Sequence, residues 1–284
     1  MAKLFVVATP IGNLGDISER ALNALKESDL VISEDTRRTA LLLSHFEISK
    51  KLVSYHKYSE MQKAGTIIER ILEDDITAAL VTDAGTPCIS DPGSILVKKA
   101  YEVGVNVIAI PGASSVTSAV SIAGFEENRF DFYGFFPRTK KEQDEVLRQV
   151  SERKALAVIF ESPLRIKNML VRLEEFFPTC ELALFNDLSK KFERVYRGEI
   201  CNVKNEVFNN PDSDKGEYVL VLRANAIQQK EEAENQSIES MLVETMVKNS
   251  LSLKDAVNIL SENTSIQKKD IYNASLRLKG LFRI

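Results

Sequence analysis

The amino-acid sequence predicts an α/β protein: a parallel doubly wound N-terminal sheet, a second domain of α+β type with a mixed sheet, and a small C-terminal helical appendage. Three observations lead there. Up to about residue 112, short apolar runs alternate with helix-period patterns, the rhythm of βαβ units. Four of these runs end in polar or Gly/Pro-rich loops, Thr9–Asn13, Glu34–Arg37, Asp83–Gly93 and Pro111–Ser115, which puts a ligand crevice at the carboxyl edge of the sheet. In the second half, strand-like segments follow one another with fewer helices between them, the mark of a mixed sheet. The expected domains are residues 1–112, 113–225 and 236–284.

Lys3 to Ala8 reads as a short buried strand running into Thr9-Pro10-Ile11-Gly12-Asn13-Leu14-Gly15. Asp16, with Glu19 three residues on, reads as the cap and capping box of a helix with Ile17, Ala21, Leu22 and Leu25 inward. A strand, a Gly-rich turn and a helix form a shape that holds phosphates. Neither G-x-G-x-x-G nor G-x-x-x-x-G-K-[ST] is present, so neither nucleotide fingerprint applies. Strand Asp29 to Ser33 ends in Glu34-Asp35-Thr36-Arg37-Arg38-Thr39, which has two readings: an exposed helix start capped by Asp35 or Thr36, or a cleft-facing site. Helix Thr39 to Phe46, a weak strand Lys51 to Tyr55 and helix Glu60 to Leu72 follow, the last with Ile67, Ile68, Ile71 and Leu72 inward.

Ile76 to Val81 is the central strand, and Asp83-Ala84-Gly85-Thr86-Pro87-Cys88-Ile89-Ser90-Asp91-Pro92-Gly93 leaves it. This strand-to-helix crossing takes eleven residues, where roughly two to six are usual. Two Pro and two Gly fix its shape, while two Asp, a Ser and a Thr supply polar groups. A long stiff loop at the carboxyl end of a parallel strand lies where open α/β sheets place ligands; its plainer role is a surface loop whose Asp and Ser cap turns. Helix Ser94 to Val103 buries Ile95, Leu96, Val97, Ala100, Tyr101 and Val103, and Gly104 stops it as a C′ glycine. Asn106 to Ile110 reads as another buried strand, ending in Pro111-Gly112-Ala113-Ser114-Ser115 before a thin helix, Val116 to Ala123.

In the second half, the aromatics Phe130, Phe132, Tyr133, Phe135 and Phe136 mark a strand, and a charged helix runs from Arg138 to about Arg153. Strand Leu156 to Phe160 ends in Glu161-Ser162-Pro163 before helix Leu164 to Phe177. Strand Glu181 to Phe185 leads into Asn186-Asp187-Leu188-Ser189-Lys190-Lys191. Glu193 to Gly198 and Gly216 to Arg223 read as strands joined by a loop at Asn209–Asp212, without a helix between them. Gln228 to Asn235 turns polar and acidic and reads as a linker. Three helical patterns fill Ser237 to Leu281, Ser252 capping the second and Ser265–Lys269 opening the third; this appendage is either a nucleic-acid contact or a solvated tail.

Bulk properties narrow the function. The chain has 284 residues, 44% hydrophobic and 27% charged, with no run near the length of a membrane span. Three distant Cys without metal spacing point to a reduced, cytoplasmic protein, and two His make a His-rich metal site unexpected. A net charge of −4 does not announce a nucleic-acid binder, so RNA would need a local patch. Arg138, Lys140, Lys141, Lys190, Lys191, Arg194 and Arg197 offer one, although interspersed acids also fit a solvated face.

Taken together, Thr9–Leu14, Glu34–Arg37, Asp83–Gly93 and Glu161–Pro163 resemble the tetrapyrrole-methylase superfamily, collinearly over about residues 3–225. Within it they are most similar to the branch that methylates the ribose 2′-hydroxyl of a cytidine in 16S rRNA of the small ribosomal subunit. The resemblance implies two α/β domains meeting at a cleft for S-adenosylmethionine, a homodimer, and the 30S subunit as partner. Carried over, it implies Asp83, Ala84, Gly85 and Thr86 at the methionine end of the cofactor. It implies Ile89, Asp91 and Gly93 shaping the same pocket, Pro111 and Gly112 bordering it, and Thr9, Pro10, Gly12 and Asn13 facing substrate and cofactor together. The chain departs from the family at Arg38, Ala113-Ser114, Leu164 and Asn186-Asp187-Leu188-Ser189-Lys190, where His, Pro, His and Arg-Glu-Leu-Thr-Lys are common.

A ribose hydroxyl is a weak nucleophile, so a base or a cation at the alkoxide should assist. Glu34 or Asp35 is expected to take the proton, Arg37 to hold a phosphate or balance the acids, and Lys190 is a second candidate. The rival readings are a methylase of a tetrapyrrole precursor or a diphthine intermediate, and a non-catalytic 30S assembly factor.

Overall fold

The structure is a computed structural model, and it describes residues 2–57, 59–153, 155–224, 237–249, 251–264 and 266–282. The expected linker, Gln228 to Asn235, and Ser265 lie outside the described residues. The chain divides into two units, Met1–Ala226 and Ile227–Ile284.

The first unit carries two five-stranded sheets. Strands β1 (Lys3–Val7), β2 (Leu30–Ser33), β3 (Lys51–Ser54), β4 (Thr77–Val81) and β5 (Asn106–Ile110) pair in parallel in the order β3-β2-β4-β1-β5. Helices α1 (Glu19–Glu27), α2 (Thr36–His45), α3 (Glu60–Glu73) and α4 (Ser94–Glu102) cover both faces, as a sheet with two apolar faces requires. One face packs Leu4, Ile32 and Leu80 against Ile67, Ile68 and Leu96; the other packs Phe5, Val31 and Val81 against Ala21, Leu25 and Leu43. This is the doubly wound sheet expected, with β4 at its centre.

Several local expectations are corrected. The first helix starts at Glu19, not at Asp16: Ser18 is its cap and accepts from Ala21 N–H at 3.1 Å, while Asp16 closes a short 3-10 turn. Serine and aspartate cap equally well, and the two lie two positions apart, so composition could not choose. Leu72, Tyr101 and Val103 are exposed rather than inward, and β5 is largely uncovered because it is the edge strand. Helix α2 starts at Thr36, three residues earlier than expected.

The second sheet contains β6 (Phe130–Phe135), β7 (Leu156–Glu161), β8 (Glu181–Asn186), β9 (Arg194–Glu199) and β10 (Tyr218–Arg223), in the order β6-β7-β10-β8-β9. It is mixed, with β6 parallel to β7 and the other pairs antiparallel. Helices α5 (Ser115–Ile122), α6 (Lys140–Glu152), α7 (Ile166–Phe176) and α8 (Ile200–Asn209) accompany it. The helix α8 overturns the expectation that no helix separates the last two strands: it begins where β9 ends, burying Ile200, Val203 and Val207.

The second unit holds α9 (Ile238–Asn249), α10 (Leu253–Asn263) and α11 (Lys268–Phe282) around Leu242, Ala256, Leu260, Ile271, Ala274 and Leu278. Ser252 caps α10 by accepting from Asp255 N–H at 3.3 Å. No helix among the described residues is long and apolar enough to cross a membrane.

Candidate active site

The carboxyl ends of β1, β2, β4 and β5 bring four loops together, and backbone hydrogen bonds lock them to one another. Thr9 and Gly85 form an isolated antiparallel bridge, N–H to O at 2.8 and 3.1 Å, joining the first loop to the long one. Thr9 Oγ1 donates to the Thr82 carbonyl at 3.1 Å. Thr86 Oγ1 donates to the Ala113 carbonyl at 3.3 Å, and Ser18 Oγ to the Pro111 carbonyl at 3.4 Å, which ties in the fourth loop. Asp35 N–H donates to Asp83 Oδ1 at 3.1 Å, which ties in the second.

The long loop is held in unusual backbone geometry. Cys88 and Ser90 both have positive φ, 69° and 68°, and Gly93 sits at +140°, a region that favours glycine. A Cβ on Gly93 would meet Leu80 and Cys88 Sγ at 2.7 Å, so the loop re-enters α4 with no room for a side chain. Glu60 at the start of α3 accepts from Gly93 N–H at 2.7 Å.

A cleft of about 440 Å³ opens beside these loops. Its walls come from Thr9, Pro10, Ile11, Gly12 and Leu14, from Thr82, Asp83 and Ala84, from Arg38, Thr39, Leu41, Leu42 and His45 of α2, and from Lys190 and Glu217 of the second sheet's loops. The two sheets therefore both contribute. Lys190 Nζ donates to Asp187 at 2.8 Å and to Glu217 at 2.9 Å, and its stem lies against Gly12, where a Cβ would collide with Lys190 Cγ. Ser189 Oγ also donates to Asp16.

Electrostatics divides the expected acids. Asp35 caps α2 by accepting from Arg37 N–H at 2.9 Å and pairs with the Arg37 guanidinium at 2.8 Å. Those hydrogen bonds hold its carboxyl down at about 2. Arg37 itself points outward, its side chain 88% exposed. Glu34 is half-buried; burial first, then the Asp83 charge, raises it above its ordinary value. Thr82 Oγ1 donates to Glu34 Oε2 at 3.2 Å. Burial and the Glu34 charge push Asp91 up to about 6. Against Glu34, Asp83 and Asp91 stands Arg38, 3.4 Å from Asp83. Burial alone would lower Lys190, but its hydrogen bonds to Asp187 and Glu217 outweigh that and hold the ammonium charged.

Thr9, Pro10, Gly12, Asp83, Ala84 and Lys190 thus share one cleft, whereas Glu34, Asp35, Arg37, Asn13, Gly85, Thr86, Ile89, Asp91, Gly93, Pro111 and Gly112 are not among its walls. Glu34 and Asp91 sit behind it, next to Thr82. Asn13 caps the 3-10 turn and Ile89 is exposed. Leu41, Leu42 and His45 were missed, because a helix pattern announces its buried face and these residues line an outer one. Arg38 entered the sequence reading within the Glu34–Thr39 stretch and as a departure from the family, but not as a site residue by itself. Arg197 leaves the expected basic patch: its guanidinium donates to the Ala123 and Gly124 carbonyls, both at 2.8 Å, and lies over the Phe125 ring.

A half-buried loop edge with three carboxylates and one guanidinium has the sign that a sulfonium and an ammonium require. Gly85, at φ +84° with Ile11 3.3 Å from where a Cβ would lie, and Gly112, where a Cβ would lie 3.0 Å from Ala8 Cβ, let the loops at this edge pack closely on one another. These features fit S-adenosylmethionine.

The chain belongs to the tetrapyrrole (corrin/porphyrin) methylases, matching that family over residues 3–203. Curated relatives match almost end to end. Ribosomal RNA small subunit methyltransferase I of Pasteurella multocida is 34% identical over 274 residues, covering 96% of each chain. The proteins of that name from Neisseria meningitidis serogroup B and Bacillus subtilis are 37% and 35% identical, covering 98% and 96% of this chain and 94% of theirs. Among solved structures, a diphthine synthase superposes with a TM-score of 0.61 at 19% identity, covering 77% of this chain and 89% of its own. The uroporphyrin-III-C-methyltransferase from Thermus thermophilus gives 0.55 at 17%, covering 78% and 94%. These two likenesses show the fold.

Proposed function

We propose that the chain transfers a methyl group from S-adenosylmethionine to the ribose 2′-hydroxyl of a cytidine in 16S rRNA, acting on the small ribosomal subunit in the cytoplasm as a homodimer. One observation carries the substrate class. Relatives named for small-subunit ribosomal RNA match 96–98% of this chain at 34–37% identity, while the diphthine and uroporphyrin enzymes match 77–78% at 17–19%. Three domains, 1–112, 113–225 and 236–284, remain our proposed division.

Bound S-adenosylmethionine supplies a methyl group already activated on a sulfonium. The chain's own task is then alignment and proton removal, and alignment alone is worth roughly 7–11 kcal/mol. Asp83, Ala84, Gly85 and Thr86 hold the methionine end, Ile89, Asp91 and Gly93 shape that pocket, Pro111 and Gly112 border it, and Thr9, Pro10, Gly12 and Asn13 face both ligands. Glu34 is the base. It is reached from the cleft through Thr82, a wall residue whose hydroxyl accepts the ribose proton as it passes its own to Glu34 Oε2, 3.2 Å away. Lys190, held as an ammonium over Gly12, supplies a cation for the developing oxyanion or an adjacent phosphate. Arg37, outside the cleft, fixes Asp35 rather than substrate.

The test offers labelled S-adenosylmethionine with naked small-subunit RNA, assembled small subunits, a precorrin and diphthine intermediate in parallel. Label on a cytidine ribose is expected. Label on the tetrapyrrole or diphthine substrate alone overturns the substrate, and tight subunit binding with no label anywhere replaces catalysis by an assembly role.

A further inference from the structure

The Glu161-Ser162-Pro163 motif has no part in the reaction above, yet it builds a second recess. This recess, about 390 Å³, lies where β7 ends and α7 begins, with Arg138, Gln143, Glu161, Arg165, Arg172 and Glu175 among its walls. Glu161, the last residue of β7, is only 3% exposed. Its carboxylate accepts from Ser162 N–H at 2.6 Å and from Arg165 Nε and Nη2 at 3.1 and 2.6 Å. Arg165 Nη2 also donates to the Phe136 carbonyl. Arg172 is gripped by Asp144 from outside the recess and by Glu175 on its rim at 2.9 Å, and its buried Nε has no hydrogen-bond partner. Arg138 is exposed just before α6 and makes no ion pair among the described residues.

A buried carboxylate thus fixes the Arg165 fork, two partly exposed ones fix the Arg172 fork, and among the described residues Arg138 stands unpaired at the mouth. A fork already fixed loses little side-chain entropy on meeting a second oxyanion, and guanidinium geometry matches phosphate. The recess also lies on the same sheet edge as the cleft. Tyr218 of β10 pairs with Glu161 on one side and with Asn186 on the other. Its neighbour Glu217 is a wall of the cleft, and Lys190 follows β8. Glu161 and Asn186 are therefore two strand spacings apart, roughly 10 Å.

We propose that this recess is a second RNA site, in which Arg138 and the outer edge of Arg165 bind a backbone phosphate of the strand whose ribose enters the cleft. The proposal rests on the RNA reading of the cleft. It gives the acidic protein a local anion site, and it gives the Glu-Ser-Pro motif the task of presenting Arg165.

The test is the salt dependence of binding of full-length protein to naked small-subunit ribosomal RNA, without methyl transfer. Each phosphate contact contributes about 0.7–0.9 to the log–log slope. Arg138→Gln, on the surface, should flatten the slope by that amount and weaken binding several-fold at low salt. Glu175→Gln, which removes a rim carboxylate, should tighten binding, a gain that misfolding cannot mimic. Lys98→Gln on α4 is the control and should leave the slope unchanged. Equal slopes for wild type and Arg138→Gln, with no tightening by Glu175→Gln, overturn the site. If RNA is methylated but the slopes do not move, this inference fails alone. If the slopes move but no methyl is transferred, the catalytic reading fails and this one stands.

Discussion

Glu34 and Asp35 are adjacent carboxylates at the end of one strand, and the fold gives them opposite tasks. Asp35 satisfies orphan N–H groups of α2 and carries the Arg37 guanidinium, which leaves a weak base. Glu34, desolvated beside Asp83, is the stronger base and has a hydroxyl next to it. Glu34→Gln should therefore lower kcat by about 10²–10⁴, the usual worth of general-base catalysis, with S-adenosylmethionine affinity within about twofold by calorimetry. Asp35→Asn keeps a good cap and should retain most of the turnover; equal loss in both variants would return Asp35 to the mechanism. Thr82→Val should resemble Glu34→Gln, and Thr82→Ser should recover activity. Asp91 makes a separate prediction about stability. Its folded value, about 6, lies above its ordinary 3.8, so the folded state holds that proton more tightly. The stability this contributes is full below the unfolded value and is lost as pH rises through about 6. Asp91→Asn should thus gain in Tm relative to wild type between about pH 4 and pH 8; a difference that stays flat would mean that Asp91 titrates normally.

At the scale of elements, the long loop after β4 works as a rigid strut: it bridges to Thr9, receives Asp35 N–H, and is stitched to α3 through Glu60. Gly93→Ala would need a φ that L-residues rarely adopt and would press on Leu80 and Cys88. It should destabilise by about 2–5 kcal/mol in urea unfolding, the sum of backbone strain and overpacking. A loss below about 1 kcal/mol would show that the loop yields. The loop's importance was legible because its length and its Gly/Pro content are written in the sequence, as were the parallel sheet and four of its ligand-edge loops. What was not legible has physical reasons. Helix α8 follows β9 without an intervening loop, so Gly198 read as a strand running out into a loop rather than as the approach to a helix, although Ile200, Val203 and Val207 carry a helical spacing. The α2 wall of the cleft is an exposed face, which no burial pattern announces. The split between Glu34 and Asp35 depends on Arg37 folding back and on Asp83 arriving from another strand, a juxtaposition that only tertiary structure provides.

On the scale of the whole molecule, charge and core are unevenly distributed. The stretch from residue 227 to 284 carries eight basic and eight acidic residues, so the entire net charge of −4 belongs to the first 226. The unit that holds the cleft is thus the acidic one, and on the proposed function RNA would be met there by local cations such as Arg38, Lys190 and Arg138 against a repulsive background. Such binding weakens steeply with salt. The second unit has its own apolar cluster, built from α9, α10 and α11. A unit of that size buries a smaller fraction of its surface than a larger domain does and is marginal by itself. The first unit has two sheets whose cores meet at the ligand loops, since Ile11 packs on the cluster of α5, β8 and β10. A chain cut to residues 1–226 should therefore unfold cooperatively at the same urea midpoint as the main transition of the full chain, and should bind S-adenosylmethionine within about threefold. Residues 227–284 alone should melt earlier and more broadly by circular dichroism. If the shortened chain instead loses cooperativity or cofactor binding, residues 1–226 do not make a self-sufficient folding and binding unit, and the proposed division of the chain fails.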